Sequence, residues 1–146
     1  MKLLVEHFFT AFLIGCIGWA ASGNPYCISS ALLAGWLTDA DHLFDFFIYS
    51  IHTKKINLAF IQSGEYFKAN NKIIVPLHAW EITALLFILG IYFPEHRSSL
   101  MSAAIAHGAH LLQDQWTYRV RILGYSLTSR ISRTFSYQGF CRSNYD

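Results

Sequence analysis

Apolar residues fall in four long runs separated by polar breaks, at roughly 3–22, 27–47, 73–93 and 98–116. Each run approaches the about 20 residues that a helix needs to cross a bilayer. The pattern therefore predicts an all-α fold, an integral membrane bundle of about four transmembrane helices. Gly23-Asn24-Pro25-Tyr26 is a strong turn signal, and Pro94 begins a second one, so the runs pair into two helical hairpins. Between the hairpins, residues 52–72 mix Ile56, Leu58, Phe60, Ile61, Tyr66 and Phe67 with lysines. That segment reads either as one lying on the membrane surface or as a plain polar loop. The domain reading is a helical domain over 1–117 and a basic tail over 118–146, the tail resting on anionic lipid or disordered.

Composition strengthens the membrane reading. The 146 residues are 53% hydrophobic and only 14% charged, with a mean hydropathy of +0.31, too apolar for an ordinary soluble domain of this size. The net charge of +2 matters less than where the charges lie. Lys54, Lys55, Lys68 and Lys72 fall between the second and third runs, and Arg119, Arg121, Arg130, Arg133 and Arg142 follow the fourth. With Lys2 at the start, basic residues alternate by side, and the positive-inside rule puts both termini and the long loop in the cytoplasm. A cleaved signal peptide is the rival reading of the first run, and Glu6 and His7 speak against it because they stand where its apolar region should begin. Cys16, Cys27 and Cys141 show no paired spacing and read as inert thiols. Arginines interleaved with tyrosines in the tail can mark a nucleic-acid surface, but beside four apolar runs membrane lipids are the expected partners.

The acidic residues break the apolar pattern. Six of the nine, Glu6, Asp39, Asp41, Asp45, Glu81 and Asp114, lie inside the runs, as do five of the seven histidines, His7, His42, His78, His107 and His110. Ionisable groups at membrane depth cost at least a few kcal/mol each and normally face partners in the protein interior. No lysine or arginine inside the runs can serve, since only Lys2 touches one, at its edge. The carboxylates are then protonated, line an ion path, or share a metal ion, and imidazole with carboxylate is a usual donor set for zinc and related ions.

Spacing fits a metal site. His107, His110 and Asp114 stand at i, i+3 and i+7, Asp39 and His42 are three apart, and so are His78 and Glu81, so each helix offers a convergent pair. With the expected topology, His7, Asp39, His42, His78, His110 and Asp114 all fall within about two helical turns of one membrane face. Asp41 is either a second ligand or an outer carboxylate orienting a histidine. His107 faces either the cavity or a neighbouring helix, and Asp45 points toward the cytoplasmic interface and binds nothing. His52 and His96 receive no role.

At these residues the chain resembles a bacterial family of membrane-bound, metal-dependent hydrolases whose named members are regulated by the SOS repressor. The matches are His7, then Thr38-Asp39-Ala40-Asp41-His42, then His78 in Pro76-Leu77-His78-Ala79-Trp80-Glu81, then His110-Leu111-Leu112-Gln113-Asp114. They span residues 7–117, about three-quarters of the chain. The chain departs from the longer H-R-G-x-T-H type of stretch that many members carry, and offers only His78 with Glu81. The resemblance implies a metal site more firmly than a reaction. A phosphoester substrate is suggested by analogy with phospholipases that use similar His and Asp spacing.

The expectation is therefore a membrane hydrolase holding one or two divalent ions, zinc first, in a cavity open to the cytoplasmic face. His7, Asp39, His42, His78, His107, His110 and Asp114 are the expected metal ligands, and Glu81 and Asp41 the expected catalytic carboxylates, with Glu81 as general base. The substrate is a lipid-linked phosphoester or acyl compound. The alternatives are an ion or proton carrier built on the same layer and a membrane di-iron oxygenase.

Overall fold

The computed structural model describes residues 2–54, 56 and 64–141. Among them the chain is all-helical, with two isolated bridges, Lys72 with Ser136 and Val120 with Cys141. The helices are α1 (Lys2–Ser22), α2 (Tyr26–Gly35), α3 (Asp41–Thr53), α4 (Glu65–Asn70), α5 (Trp80–Tyr92), α6 (Arg97–Thr117), α7 (Leu127–Ser132) and α8 (Tyr137–Phe140). Lys55, residues 57–63 with Leu58, Phe60 and Ile61 of the expected surface segment, and residues 142–146 with Arg142 lie outside the described residues.

α6 is the centre. Its small residues Ser99, Ser102, Ala103, Ala104, Ala106 and Gly108 are buried, which lets α1, α2 and α5 approach it closely. Glycines set the tightest crossings. A Cβ on Gly15 would stand 2.6 Å from the Ile28 backbone, and one on Gly35 would stand 2.9 Å from the methyl groups of both Ala11 and Ala106. Away from these crossings the helices carry exposed apolar side chains, among them Phe9, Leu13 and Ile17 on α1 and Leu85, Ile88 and Ile91 on α5.

The four expected spans are realised unequally. Among the described residues α1 alone is a helix long and apolar enough to cross a membrane, with a mean hydropathy of 1.6 over Leu4–Ser22; α6 has the length for the fourth span but not the apolarity. The second run is not one helix. α2 ends at Gly35, a 3₁₀ turn covers Leu37–Ala40, and α3 follows. The third run is helical only from Trp80, because Pro76 lacks an N–H and turns residues 73–79 out of helical conformation. Val75, directly before that proline, has φ +27°, a strained conformation for a β-branched residue.

The tail is folded as far as it is described. Val120, Tyr125 and Phe140 share a buried core with Ile73, Val75 and Leu111. Backbone bonds lace it to the irregular segment: Ile73 N–H donates to Phe135 O, Tyr137 N–H to Asn71 O, and Trp80 N–H to Tyr125 O.

Candidate metal centre

The helix break between α2 and α3 builds one wall of the site. Ending α2 leaves the Gly35 carbonyl without a helical partner, and His110 Nδ1 donates to it at 3.0 Å. The 3₁₀ turn that follows gives Asp39 and Asp41 different directions, so two carboxylates two residues apart perform different tasks.

Asp39 Oδ1 lies 3.5 Å from His78 Nε2, 3.5 Å from His110 Nε2 and 3.7 Å from His42 Nε2. From α6, Asp114 reaches the same centre, with Oδ2 3.2 Å from His78 Nε2 and 3.4 Å from His110 Nε2, while its Oδ1 meets His7 Nε2 at 3.0 Å. His7, His78, His110 and Asp114 are buried; Asp39 and His42 are partly exposed and form the open side.

Every one of these histidines is held from behind through Nδ1. His7 Nδ1 donates to Gln113 Oε1 at 2.9 Å, and Gln113 is fixed in that sense because its Nε2 donates to Thr10 Oγ1. His78 Nδ1 donates to Asp41 Oδ2 at 3.1 Å. His42 Nδ1 donates to the Tyr66 hydroxyl oxygen at 3.2 Å, while that hydroxyl donates to the His42 carbonyl. With Gly35 O, Gln113 Oε1 and a carboxylate able only to accept, the Nδ1 atoms carry the protons and the Nε2 lone pairs point inward. Burial pushes the Tyr66 phenol well above its ordinary value, and neighbouring aspartates push the same way, which keeps its proton in place.

The centre is thus a convergence of acceptors. His78 Nε2 and His110 Nε2 face each other at 3.0 Å, a separation at which the two nitrogens share either a proton or a metal ion. Asp39 and Asp114 aim carboxylates at the same place, and the ion-pair partners described for them are histidines. Tyr125 adds a hydroxyl that donates to Asp114 Oδ2 at 3.4 Å; burial, then the Asp114 charge, hold its phenol well above the ordinary range. His7, Asp39, His110 and Asp114 offer one ligand atom each within 4.8 Å of one another, and so do Asp39, His42 and His78. The residues fit a divalent ion by donor type, by tautomer and by outer-shell support.

Other expected residues go elsewhere. His107 Nδ1 meets Thr83 Oγ1 at 2.7 Å and its Nε2 donates to Leu77 O at 2.9 Å, so both nitrogens are used outside the group. Glu81 accepts from Ser126 Oγ and from the N–H groups of Leu127 and Thr128, which caps the start of α7. Asp41, expected as a ligand, an outer carboxylate or a catalytic group, accepts from the N–H of Leu77 and from His78 Nδ1. Asp45 accepts from Ile74 N–H and Val75 N–H.

Sequence reasoning missed the supports. Arg130 is buried in the folded tail, and its guanidinium donates to the carbonyls of Ile74, Val75 and His78. With Asp41 and Asp45 on the amide side, it fixes both edges of the segment that presents His78. Gln113 lies inside the quoted motif, and its place one residue before Asp114 was the available signal; Tyr66 and Arg130 had none.

No protein-family model matches the chain, and no curated protein or solved structure matches it either.

Proposed function

We propose that this protein is a membrane-embedded, metal-dependent hydrolase acting on a lipid-linked phosphoester at the cytoplasmic face. The observation that carries the reading is the shared tautomer of His7, His42, His78 and His110, tied outward through Nδ1 and converging through Nε2 on Asp39 and Asp114. Zinc is the first choice for a mixed imidazole and carboxylate set. When bound, it would supply Lewis acidity toward a phosphoryl oxygen and lower the pKa of water.

The chain's own residues orient and exclude. His7, His110 and Asp114 close the buried side, and Asp39 with His42 leave the side by which a substrate headgroup would enter. Glu81 is committed to α7, so the general base is not sought there.

The lipid part of the proposal draws on a cleft of about 360 Å³ between α2, α5 and α6, lined mainly by apolar side chains such as Leu33, Ile82 and Leu86. Two of its lining residues, Thr38 and Leu77, directly precede Asp39 and His78, which suits a hydrocarbon chain whose head lies at the centre. The cytoplasmic side is supported by the positive-inside rule, with Arg130 withdrawn from the count because it is buried. Family membership rests on the motifs alone.

Elemental analysis of detergent-purified protein tests the reading. Wild type is expected to carry zinc or another divalent ion, Asp39→Ala to lose it and His110→Ala to lose at least part of it, both remaining folded; phosphoesters and lipids are then screened for hydrolysis. Iron with an oxygen-dependent product would favour the oxygenase instead. Absence of metal even after resupply would leave the carrier as the better account.

A further inference from the structure

The donors around Asp39 outnumber what one zinc ion takes. Four histidine Nε2 atoms and two carboxylates converge, whereas zinc is held by four protein ligands in closed sites and three in catalytic ones. The same residues can be taken as two groups that share Asp39, His7, His110 and Asp114 with Asp39, and His42 and His78 with Asp39, the two meeting where His78 Nε2 lies 3.0 Å from His110 Nε2 and 3.2 Å from Asp114 Oδ2. The division matches that distinction, four donors in one group and three in the other.

Exposure enters through one member. The side chains of His7, His110 and Asp114 in the first group and of His78 in the second are 1–3% exposed, whereas His42 of the second is 30% exposed and the shared Asp39 23%. Outer support differs too. The first group is braced within the helical bundle, by Gln113 with Thr10 and by the Gly35 carbonyl. The second is braced by the peripheral elements, His42 by Tyr66 of α4 and His78 by Asp41 and the segment that Arg130 clamps.

We infer that the centre binds two inequivalent divalent ions bridged by Asp39: a closed inner ion on His7, His110 and Asp114, and an exchangeable outer ion on His42 and His78 with a position left open to substrate. The inference rests on the metal-dependent reading above and adds stoichiometry, residue assignment and order of loss. Two divalent ions against two carboxylates leave the centre net positive, the charge a phosphoester anion requires.

Zinc content of the full chain in detergent micelles, measured before and after a brief exposure to a soluble chelator, tests it. Wild type is expected to hold about two equivalents, of which brief chelation removes one. His42→Gln is expected to hold about one, resistant to brief chelation, with an unchanged helical circular-dichroism spectrum. His7→Gln is expected to lose the resistant equivalent. Tyr66→Phe, which removes only the brace behind His42, is expected to speed loss of the labile equivalent and leave the resistant one unchanged. One equivalent in wild type, unaltered in His42→Gln, would overturn the two-ion assignment while leaving the metal-dependent reading in place. Loss of all metal in His42→Gln would overturn the division into inner and outer ions. No zinc in wild type after resupply would overturn both.

Discussion

A histidine ligand is specified by what lies behind it as much as by what lies ahead. His78 is the clearest case, since one carboxylate oxygen of Asp41 accepts hydrogen bonds from its Nδ1–H and from the N–H of Leu77. Asp41→Asn keeps the shape and removes the charge. It is expected to weaken metal retention about 10- to 100-fold, the usual effect of losing such a partner, read by competition with a chromogenic chelator. Asp39→Asn is expected to abolish retention outright, because the amide offers a poor ligand to both groups. The sequence set Asp39 and His42 apart as expected ligands and left the role of Asp41 open. Helical spacing places residues two apart on different faces, but which face is inner depends on the 3₁₀ turn, and that depends on Gly35 meeting Ala11 and Ala106. His107 misled for the same reason: its spacing to His110 and Asp114 is that of a shared helix face, and only the nearby Thr83 hydroxyl and Leu77 carbonyl turn it away.

At the scale of elements, the centre depends on backbone that is not helical. Residues 73–79 sit between apolar runs, yet their amides go to Asp45 and Asp41 and their carbonyls to Arg130. This is how irregular backbone persists among apolar helices, by burial within protein that satisfies its polar groups. Arg130→Ala would leave buried carbonyls without donors, each costing about 1–3 kcal/mol, and would release the strain at Val75. The expected outcome is protease sensitivity across 71–79 and 118–141 with α1 and α6 still protected, read by limited proteolysis and mass spectrometry. Loss of protection throughout would show that the tail supports the whole bundle. The opposite end fails differently. Gly15→Val places side-chain carbon against the Ile28 backbone, which cannot step aside, and is expected to cost about 1–3 kcal/mol, seen as a lower Tm in detergent. Apolar run length announced α1 and α6 well. Pro76 marked the interruption of the third run, but a charged tail folding back over it leaves no local pattern, because its partners lie 50 or so residues away.

For the whole molecule, the question is which way the centre faces. The α1–α2 turn at Gly23–Pro25 and the start of α6 lie together, joined by the Asn24 side chain donating to Ser98, while the centre draws on the N-terminal part of α1, the residues after α2, the approach to α5 and the C-terminal part of α6. The turn and the centre therefore occupy opposite ends of a helix about 30 Å long, comparable with the hydrocarbon core of a bilayer. Basic residues follow the centre: Lys68, Lys72, Arg119, Arg121 and Arg133 belong to the segments around it, and the turn end carries Arg97. A cysteine at exposed Pro25, in a chain whose Cys16, Cys27 and Cys141 are replaced by alanine or serine, is expected to react with a membrane-impermeant maleimide added outside intact cells. A second cysteine at exposed Thr128, near the centre's end, is expected to react only after permeabilisation. The reverse pattern would place the metal centre on the outer face, and its ligands would stand while the substrate would have to be sought among lipids of the other leaflet. Equal reactivity of both positions in intact cells would mean that the bundle does not separate its two ends across a membrane, and the exposed apolar faces of α1 and α5 would then need a protein partner.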